Sequence, residues 1–332
     1  MKRRYLGHLP EVDPLYNYLQ SLIAALNGSS VADAQYRVFQ FADSRGVYLY
    51  EEVHSGARVV GKFFRSADPA HARWKGETEF SNLAFLRSIG FDSPPHYVVL
   101  PYGFNPCIDN VLMLEYLEGE SLSDLINRAL YCGQRDRLLR KLSALAHFLA
   151  ELHNRTAGDG AVDFEPSHGY LLQLVGTLVS RWGMRPELAD QLHWLGWKWH
   201  ETDAMWQDRS VLVHGDMTPA NVLFGRGREV MAIDLERMKW ADRVFDLGRL
   251  CGELKHHFFR ATANPMAAEP CIGHFIWAYC CHFPDRESAF HAITRRLPFY
   301  LGVTLLRIAR NSWIDPDYRR CLLREAVANL RG

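Results

Sequence analysis

Two short apolar runs near the middle of the chain carry its most restrictive pattern. The first reads Val213-His214-Gly215-Asp216-Met217-Thr218-Pro219-Ala220-Asn221-Val222-Leu223-Phe224, and the second Ala232-Ile233-Asp234-Leu235-Glu236. Asp216 and Asn221 are separated by four residues, and Asp234 closes the short hairpin that follows. A carboxylate, an amide and a second carboxylate are oxygen donors of the kind a hard cation takes. The rest of the chain must be able to support such a cluster.

A chain of 332 residues can bury a large core and divides into about two bodies. Hydrophobic residues at 48% and charged residues at 23% exclude both a disordered chain and a membrane-spanning one. A net charge of zero and the lack of a basic stripe with interleaved aromatics exclude a nucleic-acid partner. The seven cysteines are scattered without a C-x-x-C spacing, which reads as reduced, cytosolic thiols rather than a disulfide framework or zinc site. Met1-Lys2-Arg3-Arg4 imitates the start of a signal peptide, but Glu11 and Asp13 arrive before any apolar core. With no apolar stretch of about 20 residues, the expected location is the cytoplasm, with contact at a membrane surface left open.

Asp13-Pro14 and the stripe Leu15, Leu19, Leu22, Ile23 and Leu26 predict an N-terminal helix over 13–27, stopped by Asn27-Gly28. Three runs rich in aromatic and β-branched residues (35–42, 47–53 and 58–64) predict a meander, and Val98–Pro101 and Val111–Leu114 complete a five-stranded antiparallel sheet. Lys62 lies within Val59-Val60-Gly61-Lys62-Phe63-Phe64, where an unpaired ammonium would be costly; an outward, solvated edge lysine is the plain alternative. In the helix expected over 73–88, Glu79, Leu83 and Leu86 share one face, so Glu79 is the carboxylate on the apolar side, with Glu77 as its competitor. From Ser121 onward the periodicity is helical, over 122–131, 135–153, 171–182, 187–205, 244–259, 270–282, 286–310 and 318–330.

His214-Gly215-Asp216 with Asn221, followed by Ile233-Asp234-Leu235-Glu236, resembles the aminoglycoside phosphotransferase and choline kinase group. The interval from Asp216 to Asn221 is that of the kinase catalytic loop. Ile233-Asp234-Leu235-Glu236-Arg237 with Asp246-Leu247 is also similar to kinases of lipopolysaccharide core sugars. The resemblance implies an α+β, bilobal protein kinase-like fold: an N-terminal lobe over 1–114, a hinge over 115–120 and a helical C-terminal lobe over 121–332. It implies ATP and Mg²⁺ as cofactors, with Lys62 on the phosphates and Glu79 fixing its ammonium. Asp216 would act on the acceptor hydroxyl with His214 supporting the loop, and Asn221 and Asp234 would ligate metal. Asp246 would brace the catalytic loop, and His153 would either support that loop or fill the core. Backbone amides about Ser44 and Gly46 would face phosphates, although the chain lacks a glycine-rich loop. Backbone groups of Glu115 and Leu117 would meet the adenine.

The acceptor is less constrained. After residue 240 the chain carries 13 Lys or Arg against 9 Asp or Glu. Arg243, Arg249, Lys255, His256, His257, Arg260, Arg295 and Arg296 are either solvated helix faces or an environment for a neutral or anionic acceptor, a small molecule or glycan, rather than for a polycationic antibiotic. Trp194, Trp197 and Trp199 are either packing residues or a cage for a quaternary ammonium. The absence of an A-P-E segment after Asp234 disfavours a protein kinase. A catalytically inactive, kinase-like binding module is the alternative from another class.

Overall fold

The computed structural model describes residues 3–28, 33–41 and 46–332. The chain divides into two compact units, one of Met1–Gly119 with Gly225–Glu236, the other of Glu120–Phe224 with Arg237–Gly332.

The first unit opens with β1 (Arg3–His8) and α1 (Pro14–Asn27). Asp13 caps α1 by accepting from the Leu15 N–H, with Pro14 in the first turn, where its missing N–H costs nothing. β2 (Tyr36–Phe41), β3 (Val47–Glu52) and β4 (Arg58–Phe63) follow. α2 (Pro69–Ser88) starts earlier than its apolar stripe suggests, because Asp68 caps it and Pro69 sits in its first turn. Its buried side is Ala72, Gly76, Glu79, Leu83 and Leu86. Two short strands, β5 (Asp92–Ser93) and β6 (His96–Val98), precede the hairpin of β7 (Pro101–Asn105) and β8 (Val111–Glu115).

The sheet has six strands, ordered β1-β2-β3-β4-β8-β7 and antiparallel throughout, where the sequence predicts five. Two differences account for this. β1 adds an edge, and the strand expected at 98–101 is replaced by β7, while β6 pairs elsewhere. Leu15, Tyr16, Leu19 and Ile23 of α1 pack with Tyr36, Tyr50, Val59, Val111 and Met113, so this helix forms the core on one side of the sheet. Removing such side chains from water stabilises the unit by about 1.5–3 kcal/mol each.

In the second unit β9 (Glu120–Ser121) leads into α3 (Leu122–Tyr131) through a capping box of Ser121 and Asp124. α4 (Arg135–Arg155), α5 (Glu165–Trp182) and α6 (Pro186–His200) follow. β10 (Val211–Val213) and β11 (Val222–Phe224) flank the loop that carries Asp216, and β11 pairs with β9. The chain then visits the first unit for β12 (Val230–Ala232), which pairs in parallel with β6, Val230 opposite His96 and Ala232 opposite Val98. This pairing is why residues 225–236, expected with the helical C-terminal part, belong to the first unit.

Back in the second unit, β13 (Lys239–Ala241) pairs antiparallel with β10, with Lys239 opposite Val213. The remaining helices are α7 (Val244–Thr262), α8 (Glu269–Cys280), α9 (Arg286–Thr294), α10 (Leu297–Ala309) and α11 (Pro316–Leu330). The single helix expected over 286–310 is split into α9 and α10. Pro298 is confined to the first turn of α10, because within a longer helix it would remove a hydrogen bond and clash with the preceding turn. Among the described residues no helix is long and apolar enough to cross a membrane.

Candidate active site

In the first unit, β4 points the Lys62 ammonium at three carboxylates. Its Nζ lies 2.5 Å from Glu79 Oε2, 2.5 Å from Asp234 Oδ1 and 3.8 Å from Glu236 Oε2. Glu77, the competitor, pairs instead with Arg73 on the exposed side of α2. Burial alone would lower the Lys62 pKa, but Glu79, Asp234 and Glu236 outweigh it and raise it. Glu79 is fully buried, and this burial pushes its carboxyl up to about 7 against the pull of Lys62, with Asp234 and Glu236 adding to the rise. Its Oε1 is buried and has no hydrogen-bond partner among the described residues.

Asp234 lies just after β12, past Ile233, and takes a φ of 67°, a left-handed conformation that costs a residue other than glycine. Asn82 of α2 donates to the Leu235 carbonyl at 2.8 Å and so holds the turn. Ligand oxygens of Glu79, Asp234 and Glu236 lie within 4.8 Å of one another. An all-oxygen set with an unsatisfied buried carboxylate oxygen fits a hard divalent cation such as Mg²⁺.

In the second unit the loop after β10 is fastened by buried side chains. Asp246, fully buried in the first turn of α7, accepts from the backbone N–H groups of His214 at 2.6 Å and Gly215 at 3.0 Å. His153 lies 3.4 Å from Asp246 through Nε2, and its Nδ1 is 2.9 Å from the Tyr279 hydroxyl. Burial keeps His153 below its usual pKa, so the neutral ring donates from Nε2 to Asp246 and accepts from Tyr279. His153 thus fills the core and ties down the loop through one set of bonds.

Gly215 has a φ of 80°, and a Cβ there would sit 2.0 Å from the Arg237 carbonyl oxygen, so only glycine fits. His214 is fully buried, and its Nδ1 accepts from the Asp216 N–H at 3.3 Å. Asn221 donates from Nδ2 to the Asp216 carbonyl at 2.9 Å, a bond in which its side-chain oxygen takes no part. The sequence pattern did not reveal what meets Asp216. Arg307 of α10 donates to Asp216 Oδ1 at 3.0 Å and to Glu253 of α7 at 3.0 Å. Ninety-one positions separate Arg307 from Asp216, and no motif spans that interval.

The other expected positions differ in standing. Gly46 has a φ of 82° and its carbonyl accepts from the Phe63 N–H at 2.8 Å, which joins β3 to β4. Ser44 lies outside the described residues. The Glu115 N–H donates to Leu100, and the Glu115 carboxylate accepts from the Tyr97 hydroxyl, so this residue brings no spare backbone donor to an adenine edge. Leu117 lies beyond β8 on backbone that belongs to no strand or helix, and it is half-buried.

Three of the basic residues singled out after 240 are ion-paired: Arg243 and Arg296 with Asp208, and Lys255 with Glu269. Trp199 donates to the Leu330 carbonyl, and Trp194 is already covered by the Lys198 ammonium at 4.2 Å. Trp199 is thus tied into the fold, whereas Trp194 and Trp197 are 52% and 56% exposed.

Solved structures share this architecture. The ethanolamine kinase of Plasmodium vivax aligns with a TM-score of 0.57 at 12% identity, over 95% of this chain and 89% of that one. Choline kinase LicA from Streptococcus pneumoniae aligns with a TM-score of 0.55 at 15% identity, over 96% and 99% of the two chains. The GDP complex of wild-type aminoglycoside 2'-phosphotransferase-IIIa aligns with a TM-score of 0.58 at 13% identity, over 94% and 98%. At these identities the likeness is one of fold, and the fold is protein kinase-like. No curated protein matches the chain in sequence. The model of the phosphotransferase enzyme family (APH) matches residues 40–278, well over half of the sequence, and the chain therefore belongs to that family.

Proposed function

We propose that the protein transfers the γ-phosphoryl group of ATP to a hydroxyl of a small molecule or glycan, and that this acceptor is neutral or anionic. The observation that carries the reading is the fastening of Asp216. Three buried or half-buried side chains, Asp246, His214 and Asn221, hold the backbone on either side of it, while its carboxylate is met at Oδ1 by Arg307. A loop held this firmly serves positioning, and positioning with charge neutralisation is what phosphoryl transfer demands of a protein.

Asp216 would accept a hydrogen bond from the acceptor hydroxyl and align its oxygen with the γ-phosphorus. As the new O–P bond forms, the bond to the β,γ-bridging oxygen breaks, ADP leaves, and the hydroxyl proton passes to the Asp216 carboxylate. A carboxylate is a weak base for an alcohol, so orientation counts for more than early deprotonation. Lys62, steadied by Glu79, would bind phosphate oxygens. Asp234 and Asn221 would each give an oxygen to Mg²⁺, which when bound neutralises phosphate charge. Glu236 stands where a protein kinase has the glycine of its D-F-G motif, and its carboxylate adds to the acidic set around Lys62.

The test measures thermal stability with and without ATP and magnesium, then nucleotide consumption across sugars, sugar acids, amino alcohols and aminoglycosides. Stabilisation by magnesium–ATP with acceptor-dependent turnover is expected. Asp216→Ala should keep the stabilisation and lose the turnover. A chain that no nucleotide stabilises is the binding module instead.

A further inference from the structure

In the basic group after 240, Arg296 has a buried nitrogen without a hydrogen bond but is ion-paired to Asp208 and Asp242, whereas Arg249 is buried with no ion pair among the described residues. It lies in α7, one turn after Phe245 and one turn before Glu253, and is 5% exposed. Its Nη1 is buried, and among the described residues nothing accepts a hydrogen bond from it. A guanidinium does not lose its proton in a protein, so this is a charge held out of water with a donor unmet, which is costly.

Arg307, which bridges Asp216 and Glu253, also has a buried Nε with no hydrogen-bond partner among the described residues. The two arginines are electrostatic neighbours: after burial, the repulsion of Arg307 is the strongest influence lowering the Arg249 pKa, opposed next by the attraction of Asp216. Lys239, opposite Val213 in the strand pair that launches the loop, adds a third cation. Its ammonium lies 4.2 Å from the centroid of the Phe245 ring, and the Arg249 guanidinium carbon lies 5.6 Å from the same centroid. The two arginines face Asp216 and Glu253, while Lys239 answers to Asp246 and is repelled by Arg249. Burial raises the Glu253 pKa against the pull of Arg307 and Arg249. A polycationic acceptor would meet repulsion here, while an oxyanion would give the two unmet N–H donors what they lack.

We propose that Arg249 and Arg307 form an oxyanion subsite beside Asp216, so that the acceptor carries a phosphate or carboxylate group that docks there while its hydroxyl reaches Asp216. The proposal rests on the phosphotransfer reading above and narrows its acceptor to an anionic hydroxyl compound.

The test titrates the full-length protein calorimetrically with inorganic phosphate, and separately with acetate, in the presence of saturating magnesium and the non-hydrolysable ATP analogue AMP-PNP. Saturable binding of one or both anions is expected, and the tighter one names the oxyanion. Arg249→Met should weaken it at least tenfold, Arg249→Lys should weaken it less, and AMP-PNP affinity should stay within twofold in both. Because Arg249→Met removes an uncompensated buried charge while keeping an extended, apolar side chain, its Tm should equal or exceed the wild-type value, which a structural arginine would not allow. Three results would overturn the subsite: no saturable anion binding, binding that Arg249→Met leaves within twofold, or anion binding that AMP-PNP abolishes, which would place the anion on the nucleotide groups. Failure of AMP-PNP to bind the wild-type protein would instead count against the phosphotransfer reading, since the anion titration can be repeated without nucleotide.

Discussion

Replacing Asp246 by asparagine keeps the outline of the side chain and removes its charge. The carboxylate accepts two backbone N–H groups, from His214 at 2.6 Å and Gly215 at 3.0 Å, in a position closed to solvent. Asparagine can answer one of them with its carbonyl oxygen. Its amide nitrogen must then point at the other, and donor faces donor. A charge-assisted hydrogen bond contributes about 1.5–3 kcal/mol, and an unmet buried donor costs about 1–3 kcal/mol, so Asp246→Asn should destabilise the second unit by about 3 kcal/mol.

At roughly 2–4 °C per kcal/mol for a body of this size, the melting transition of that unit should fall by roughly 6–12 °C. The loop would shift with it, and misplacement of about 1 Å costs on the order of 100-fold in rate, so under the proposed reading kcat should drop by about that factor while ATP affinity, assigned there to Lys62, changes little. The effect should not vary between pH 5 and pH 9. Burial would raise the Asp246 pKa, but His153 and His214 lower it below 3.8, so its contribution is complete above that value and lost only as pH falls through the still lower folded-state value. A variant melting within 2 °C of wild type with kcat within twofold would refute the bracing role.

Gly215→Ala should express poorly or melt well below wild type, since its Cβ would overlap the Arg237 carbonyl at 2.0 Å and the left-handed backbone adds about 1–2 kcal/mol; calorimetry of the purified variant checks this. Asp234→Ala should abolish the magnesium-dependent part of ATP binding in isothermal titration and leave folding intact, and unchanged affinity with magnesium present would contradict the metal role. For Glu79 the sign follows from its raised pKa, near 7 in the fold against an ordinary 4.5. Between those two values the folded state keeps a proton that the unfolded chain releases, so the nucleotide-free protein should lose stability as pH rises from about 4.5 to about 7. Thermal melts of wild type and Glu79→Gln over pH 4.5–8 should differ in slope across that window and run parallel above it.

How far the sequence discloses this arrangement depends on the distance over which each constraint acts. Asp216 and Asn221 stand on one short loop, so their spacing is their geometry. Glu79 declares itself because a carboxylate on the apolar stripe of a helix needs a cation, and Lys62 is the nearby strand residue with the matching need. β1 went unforeseen because five of its six residues are exposed, so no alternation of buried and solvated positions marks it. β6 was misplaced because its partner, β12, lies more than 130 positions away and pairs in parallel, which leaves no local turn to read. Arg307 lies in an apolar helix whose periodicity explains its neighbours, and only the packing of α10 on α7 brings its guanidinium to Asp216.

The excursion of Gly225–Glu236 has a consequence for anyone who would take the protein apart. The polypeptide passes from one compact unit to the other three times, at residues 119–120, 224–225 and 236–237. No single cut in the gene yields two fragments that each hold a whole unit, because the fragment ending at Gly119 lacks the strand that pairs with β6 and the turn bearing Asp234. Lys62 made without that segment would keep Glu79 as its partner and lose the other two carboxylates. Shuffling by simple fusion of the N-terminal part is therefore closed to this chain. A new acceptor specificity has to arise by substitution within it, or by exchanging the helices that follow residue 236.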